Sequence, residues 1–222
     1  MPNHTDNLLS IVGENNIKDI LYPYMTRIQP EQSRELGMMM MDTDENEREY
    51  FLDFDKIVPM PKEIKEASNL ADFELLMRLD EKGRKEHEKK VKRLERICVK
   101  KHGAKGWYDW SLKNWGTKWN SYSNSFNKKG DVLFFQTAWS PPAEVLMELA
   151  VKLKKIVRVS YKDEGYGFFG VFHFYPDGKV DDECYQEHKN VPEELCRELG
   201  INTYEEDVKE REEELENERQ LA

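Results

Sequence analysis

The sequence predicts an α+β fold built on one antiparallel sheet, and three observations carry that reading. Short stretches with a period of two recur at residues 7–12, 119–126, 131–139, 156–162 and 166–175, as expected of strands with unlike faces. Two segments with helical spacing separate them, one after the first strand and one after Trp139. The Asn127-Lys-Lys-Gly130 turn joins the second and third strands as a hairpin. Strand, helix, strand, hairpin strand, helix, strand is the split βαβ order of a ferredoxin-like fold, with two helices on one face of the sheet. The stretch 166–175, following directly on another strand, would be an added strand.

Each element has its own cause. Leu8, Leu9, Ile11 and Val12 form the first strand, which Gly13 ends. After Asn15 or Asn16 as cap, Ile17, Ile20, Leu21, Tyr24, Met25 and Ile28 share a helical face, and Pro23 should kink or shorten that helix. Residues 29–49, with a run of four methionines and a cluster of acids, read as an irregular excursion. Residues 50–58 read as extended, anchored by Phe51, Phe54 and Ile57 and stopped by Pro59 and Pro61.

A helical insertion follows at about 63–106. Leu70, Phe73, Leu76 and Met77, then Val91, Leu94, Ile97 and Cys98, give a thin apolar stripe on two helices, or on one helix broken near Gly83. Beyond Trp139, Ser140 is a good N-cap, Pro141 suits the first helical position, and Glu144 faces the helix dipole. Val145, Leu146, Leu149, Ala150 and Leu153 then form the stripe that lies on the sheet. The chain divides into a domain over 1–190 and an acidic helical extension over 191–222.

Composition narrows the functional classes. The 222 residues suffice for one domain with a sizeable core plus an appendage. A formal charge of −10 disfavours broad adhesion to nucleic acid or anionic membrane. No apolar run is long enough to span a bilayer and the polar start is no signal peptide, so a cytoplasmic protein is expected. Cys98, Cys184 and Cys196 suit reduced thiols. Charge is unevenly distributed: residues 82–105 carry eleven Lys or Arg against three Glu, and residues 193–222 carry twelve acids against four bases.

The motifs give little support to catalysis. Gly165-Tyr-Gly167-Phe-Phe-Gly170 matches a dinucleotide fingerprint as a string, but it runs into a strand where the chemistry requires a helix N-terminus, so tight turn and close strand packing are expected. Cys184, His188 and Cys196 fit no common zinc spacing. Asp163 and Glu164 could act as acid and base, but neighbours on an exposed turn are more often solvated. No metal or cofactor is expected.

One group stands apart. Trp115, Trp119 and Trp139 accompany Asn114, Thr117, Lys118, Asn120 and Gln136, a mixture able to stack a planar group and hydrogen-bond its edge. With Gly165, Tyr166 and Gly167, these residues should gather at one end of the sheet and form the candidate binding surface. The competing reading, that the rings fill the ends of a small core, carries more weight at this stage.

The opening Met-Pro-Asn, the stretch from Phe54 to Lys62, Asn114-Trp-Gly-Thr-Lys-Trp-Asn120, Thr137-Ala-Trp-Ser-Pro-Pro142 and Glu164-Gly-Tyr-Gly-Phe-Phe-Gly170 together resemble the YubB ferredoxin-like domain family. The resemblance covers roughly 1–60 and 107–190. It departs at His4-Thr5, where that family usually has Trp-Cys, and in the long charged insertion. It implies the fold and an origin in a phage, prophage or plasmid, and it offers no catalytic residues.

The expected function is therefore a non-enzymatic binding or adaptor protein of a mobile element, with an unidentified protein as partner. The alternatives are ligand or nucleic-acid binding through the tryptophan cluster or through Lys89, Lys90, Lys92 and Arg93 of the insertion, and, third, an enzyme of unfamiliar type. Nucleic-acid binding is expected to be weak. The acidic tail should pair with the basic insertion, its Leu195, Leu199, Ile201 or Tyr204 packing on Val91, Leu94 and Ile97.

Overall fold

The computed structural model of the chain describes residues 3–27, 50–70 and 79–221. In chain order its elements are β1 (His4–Ile11), α1 (Lys18–Leu21), β2 (Met25–Arg27), β3 (Tyr50–Leu52), α2 (Phe54–Ile57), α3 (Lys62–Leu70), α4 (Glu81–His102), α5 (Trp107–Asn114), β4 (Tyr122–Phe126), β5 (Leu133–Ala138), α6 (Ala143–Leu153), β6 (Val157–Asp163), β7 (Phe169–Phe174), β8 (Val180–Tyr185), α7 (Glu193–Leu199) and α8 (Tyr204–Leu221). The methionine run, the acids of 29–49 and Phe73, Leu76 and Met77 lie outside the described residues.

The main sheet runs β4-β5-β1-β6-β7-β8 with every neighbouring pair antiparallel. Its first four strands have the ferredoxin-like order, the first strand of the chain lying between the second hairpin strand and the strand after α6. β1 begins earlier than the apolar period suggests because Thr5 and Asn7 are buried polar residues on the core face. Asn7 Nδ2 donates to the Thr5 and Phe135 carbonyls and to Thr137 Oγ1, while Asn7 Oδ1 and Thr5 Oγ1 are buried without a hydrogen-bond partner.

Two of the expected elements are shorter than the sequence suggests. The helix over 17–28 stops at Leu21, and Pro23 sits in a following 3-10 turn, Tyr22–Tyr24, before the chain turns into β2. A proline inside that pattern removes a helix donor, and here the chain uses the break to start a strand. The stretch 50–58 is extended only over β3. Asp53 then caps α2, accepting from the Asp55 N–H at 3.0 Å, and turns Phe54 and Ile57 fully into the core.

On the core face, α6 contributes Val145, Leu146, Leu149 and Ala150, all buried, and packs with α2 and α5. Its start differs from expectation. The helix begins at Ala143, and the Ser140 hydroxyl donates to the Gly116 carbonyl at 2.7 Å rather than capping a helix N–H. The insertion forms α3 and α4. The break precedes Gly83, because Asp80 caps α4 by accepting from the Gly83 N–H at 2.7 Å. Leu94 and Cys98 join the main core, while Gly103 in the left-handed region ends the helix.

The added strand is a hairpin of two. β7 turns through Pro176-Asp-Gly178 into β8, whose Asp181, Asp182 and Glu183 are exposed along the sheet edge. Acidic side chains on an edge strand oppose pairing with another chain, and the same polarity hides the strand from an apolar-period search.

The acidic extension packs elsewhere than expected. Leu195 and Leu199 of α7 meet Phe169, Val171 and Leu8 on the opposite face of the sheet from Leu9 and the helices. Glu198 fastens the contact, accepting from Arg158 at 2.7 Å and from the Ser160 hydroxyl at 2.6 Å. The expected pairing of tail with insertion therefore fails, because the leucines meant for α4 find a wider apolar surface on the strands. The carboxylates that meet the lysines of α4 are instead Glu81, Glu88 and Glu63. α8 opens with a capping box, the Thr203 N–H donating to Glu206 and the Glu206 N–H to Thr203 Oγ1.

Candidate functional site

The predicted tryptophan group is divided by one loop between core and surface. Trp115 is buried, its Nε1 donating to the Val58 carbonyl at 3.0 Å and its ring packed edge-on against Trp110 and Phe54. The loop then turns at Gly116, whose φ of 80° and close approach to the Glu144 side chain leave no room for a Cβ. Thr117, also buried, donates its hydroxyl to the Ala138 carbonyl at 2.8 Å. With the Ser140 bond to Gly116, this pins the loop against the end of β5.

Lys118 and Trp119 consequently reach the neighbourhood of Trp139. The Lys118 ammonium lies 4.4 Å from the Trp119 ring centroid and 4.7 Å from that of Trp139, one cation shared by two indoles. Trp139 is 40% exposed and Tyr108, edge-on to it at 6.3 Å, is equally so. Trp107 continues the row, edge-on to Tyr108. Trp107 and Tyr108 were not among the expected site residues; the sequence signal for them is their place at the start of α5, directly after the basic run. Trp139 adopts φ 73°, a left-handed conformation that costs a residue with a Cβ roughly 1–2 kcal/mol.

The other expected residues hold the frame. Asn114 donates to the Trp110 carbonyl and lines a groove of about 640 Å³ between α5 and α6, edged by Lys113, Glu144 and Glu148. Asn120 accepts from the Phe54 and Ser121 N–H groups and donates to Asp53, tying α2 to β4. Gln136 belongs to the opposite face, where it donates to Asp6, which also meets Lys162. On that same face Tyr122 and His4 Nδ1 are 2.8 Å apart, and burial, aided by Glu164 and Asp6, pushes the phenol well above its ordinary value.

The Gly165–Gly170 turn shares the sheet end, for the Glu164 N–H bonds the His4 carbonyl and the Trp139 N–H bonds that of Asn3. Tyr166 nevertheless turns toward Phe169 and His188 and away from the Trp139 group. Asp163, expected to be solvated, is 5% exposed and accepts from the Gly165 and Gly167 N–H groups, so it shapes the turn. Gly170 lies where a Cβ would collide with Tyr161 and with the Glu183 carbonyl, which is the close strand packing expected of it. Cys184 is exposed and Cys196 buried, and among the described residues no group of His, Cys, Asp and Glu is placed to hold a metal ion.

Lys89, Lys90, Lys92 and Arg93 are exposed on α4. Lys85 and Lys92 pair with Glu81 and Glu88 one turn back, at 2.8 and 2.6 Å. At the other end of α4, Lys101 reaches Glu63 of α3 at 2.6 Å. The Lys101 hydrogen bond holds the Glu63 carboxyl down at about 2.

With the sheet order and the site geometry in place, comparison with known proteins finds a family similarity over the C-terminal part. Residues 118–222 match the family described as a ferredoxin-like domain in Api92-like proteins. The chain carries a ferredoxin-like domain. Its β1 lies outside the matched segment yet completes the sheet between β5 and β6. Among solved structures, protein Api92 from Yersinia pseudotuberculosis is similar, with 14% identity over 83% of this chain and 98% of that chain and a TM-score of 0.42. No curated protein matches. No helix among the described residues is long and apolar enough to cross a membrane.

Proposed function

We propose that this chain is a non-catalytic binding protein whose contact surface is the cluster of Tyr108, Lys118, Trp119 and Trp139. The observation that carries the reading is Trp139, a large ring kept 40% exposed on a left-handed backbone. Strain of this kind persists where the surrounding structure over-determines it, and it clusters at binding and switch sites. The Thr117 and Ser140 hydrogen bonds supply that over-determination. Two rings and a shared cation then offer a planar group a face to stack on and a charge beside it. A mobile-element origin and kinship with the YubB group belong to the same reading, supported by the five short motifs that resemble that family.

The test is affinity capture from a host-cell extract with the full chain and with the Tyr108→Ala/Trp139→Ala variant, both shown to unfold at similar urea concentration. A species retained by the former and lost by the latter supports the surface. Identical captured sets overturn it.

A further inference from the structure

We infer that the chain binds single-stranded nucleic acid, its phosphates along α4 and its bases on the Tyr108–Trp139 platform; this deepens the proposed function and rests on it. By charge totals alone the acidic tail would neutralise the basic insertion, but among the described residues no tail carboxylate pairs with a cation of α4. α7 packs on the far face of the sheet, and among the described residues Lys89, Arg93, Arg96 and Lys100 have no carboxylate partner.

The cations of α4 also share a face. At 3.6 residues per turn, Lys85, Lys89, Lys92, Arg93, Arg96 and Lys100 fall within an arc of about 100°, and Lys85 to Lys100 span about 22 Å. Glu81, Glu86, Glu88 and Glu95 lie outside that arc. The helix side facing away from it, Leu94 and Cys98, is already packed into the core, so this helix has no free apolar face to insert into a membrane. A polyanion that follows a line is what remains.

Along the chain the stripe is followed directly by the first residues of the aromatic platform. Lys105 lines a shallow groove with Lys92, Arg96 and Lys100, which also holds Glu95 and Val99, and two residues later Trp107 begins the row that runs through Tyr108 to Trp139. A backbone-tracking cationic groove that ends on exposed rings is the combination used to hold single strands, because only there are base faces free to stack. A duplex keeps its bases stacked on one another and would meet the cations alone. The net charge of −10 does not by itself oppose this, since charge is unevenly spread, with a local excess of +8 over residues 82–105 against −8 over residues 193–222.

The experiment measures fluorescence anisotropy of a labelled twenty-nucleotide oligothymidylate with the full chain from 50 to 200 mM salt. Controls are a matched duplex and vesicles containing phosphatidylserine. Neutralising three to five phosphates of a single strand predicts an affinity loss of about 20- to 100-fold over that range. Lys89→Glu/Arg93→Glu/Arg96→Glu should weaken binding at least tenfold. Tyr108→Ala/Trp139→Ala should weaken it about 5- to 150-fold and remove the quenching of tryptophan fluorescence.

Equal or tighter binding of the duplex or the vesicles overturns the inference, as does no binding of the oligonucleotide at 50 mM salt. If that failure accompanies an unchanged capture difference between the full chain and its aromatic variant, the binding surface stands and only its nucleic-acid assignment falls. Binding lost on charge reversal but indifferent to the aromatic variant overturns the platform and so the inference, while the proposed surface stands or falls with the capture comparison.

Discussion

If α7 is part of the domain and not an appendage, truncating its two buried leucines must destabilise the whole sheet. Leu195 and Leu199 are 5% and 7% exposed, and they cover Phe169 and Val171 together with Leu8. Leu→Ala changes in cores cost roughly 2–5 kcal/mol each, and a seven-residue helix at the surface can partly collapse onto the gap, so the lower end applies. The Leu195→Ala/Leu199→Ala variant should therefore lose about 4 kcal/mol, less any coupling between the neighbouring sites. With a urea m-value of roughly 2–3 kcal/mol/M, the midpoint should fall by about 1.5 M. The assay is urea unfolding followed both by far-ultraviolet circular dichroism and by tryptophan fluorescence. The described tryptophans, Trp107, Trp110, Trp115, Trp119 and Trp139, lie outside α7, so the two probes should shift together. An unchanged fluorescence midpoint would refute the reasoning and restore residues 191–222 to the status of an independent extension.

Two further outcomes can be checked on the same protein. Glu63, its carboxyl held at about 2 by Lys101, contributes stability that is complete above the ordinary carboxylate range and is lost progressively as pH falls from that range through about 2. A carbon-13 titration of its carboxyl between pH 1.5 and 6 should show a midpoint well below that of the exposed glutamates, and Lys101→Ala should raise it toward the common value. Among the tryptophans, Trp115→Ala should cost about 4 kcal/mol as a core truncation. Trp139→Gly should change stability by less than about 1 kcal/mol, because the strain it relieves and the Tyr108 contact it loses are of similar size. Equal losses for the two would erase the distinction between core ring and surface ring.

Much of the fold was legible because each strand of the ferredoxin-like core carries its own period. Leu9 and Ile11, Leu133 and Phe135, Val157 and Val159 are all buried on one face, so alternation and burial agree. What escaped was structure made by polar groups. Asn7 and Thr5 extend β1 through a hydrogen bond that no apolar period can register, and β8, half of whose residues are acidic, is held by its pairing with β7. Asp53 likewise converts an apparent strand into a helical turn by one side-chain bond. In each case a local polar contact outweighed propensity.

The site was legible in composition and not in arrangement, and the reason lies in Gly116. A tryptophan on either side of a turn counts alike in a sequence, yet the turn at φ 80° sends Trp115 inward and carries Lys118 and Trp119 outward toward Trp139. Trp115 is therefore a core ring, while Trp139 is an exposed one. The tail shows the same limit for charge. Opposite totals on two segments suggested that they pair, but exposed ion pairs are worth at most about 1 kcal/mol each, whereas two leucines that reach an apolar sheet face gain several. Burial of those leucines decided where α7 went, and the cations of α4 were left facing solvent as its consequence.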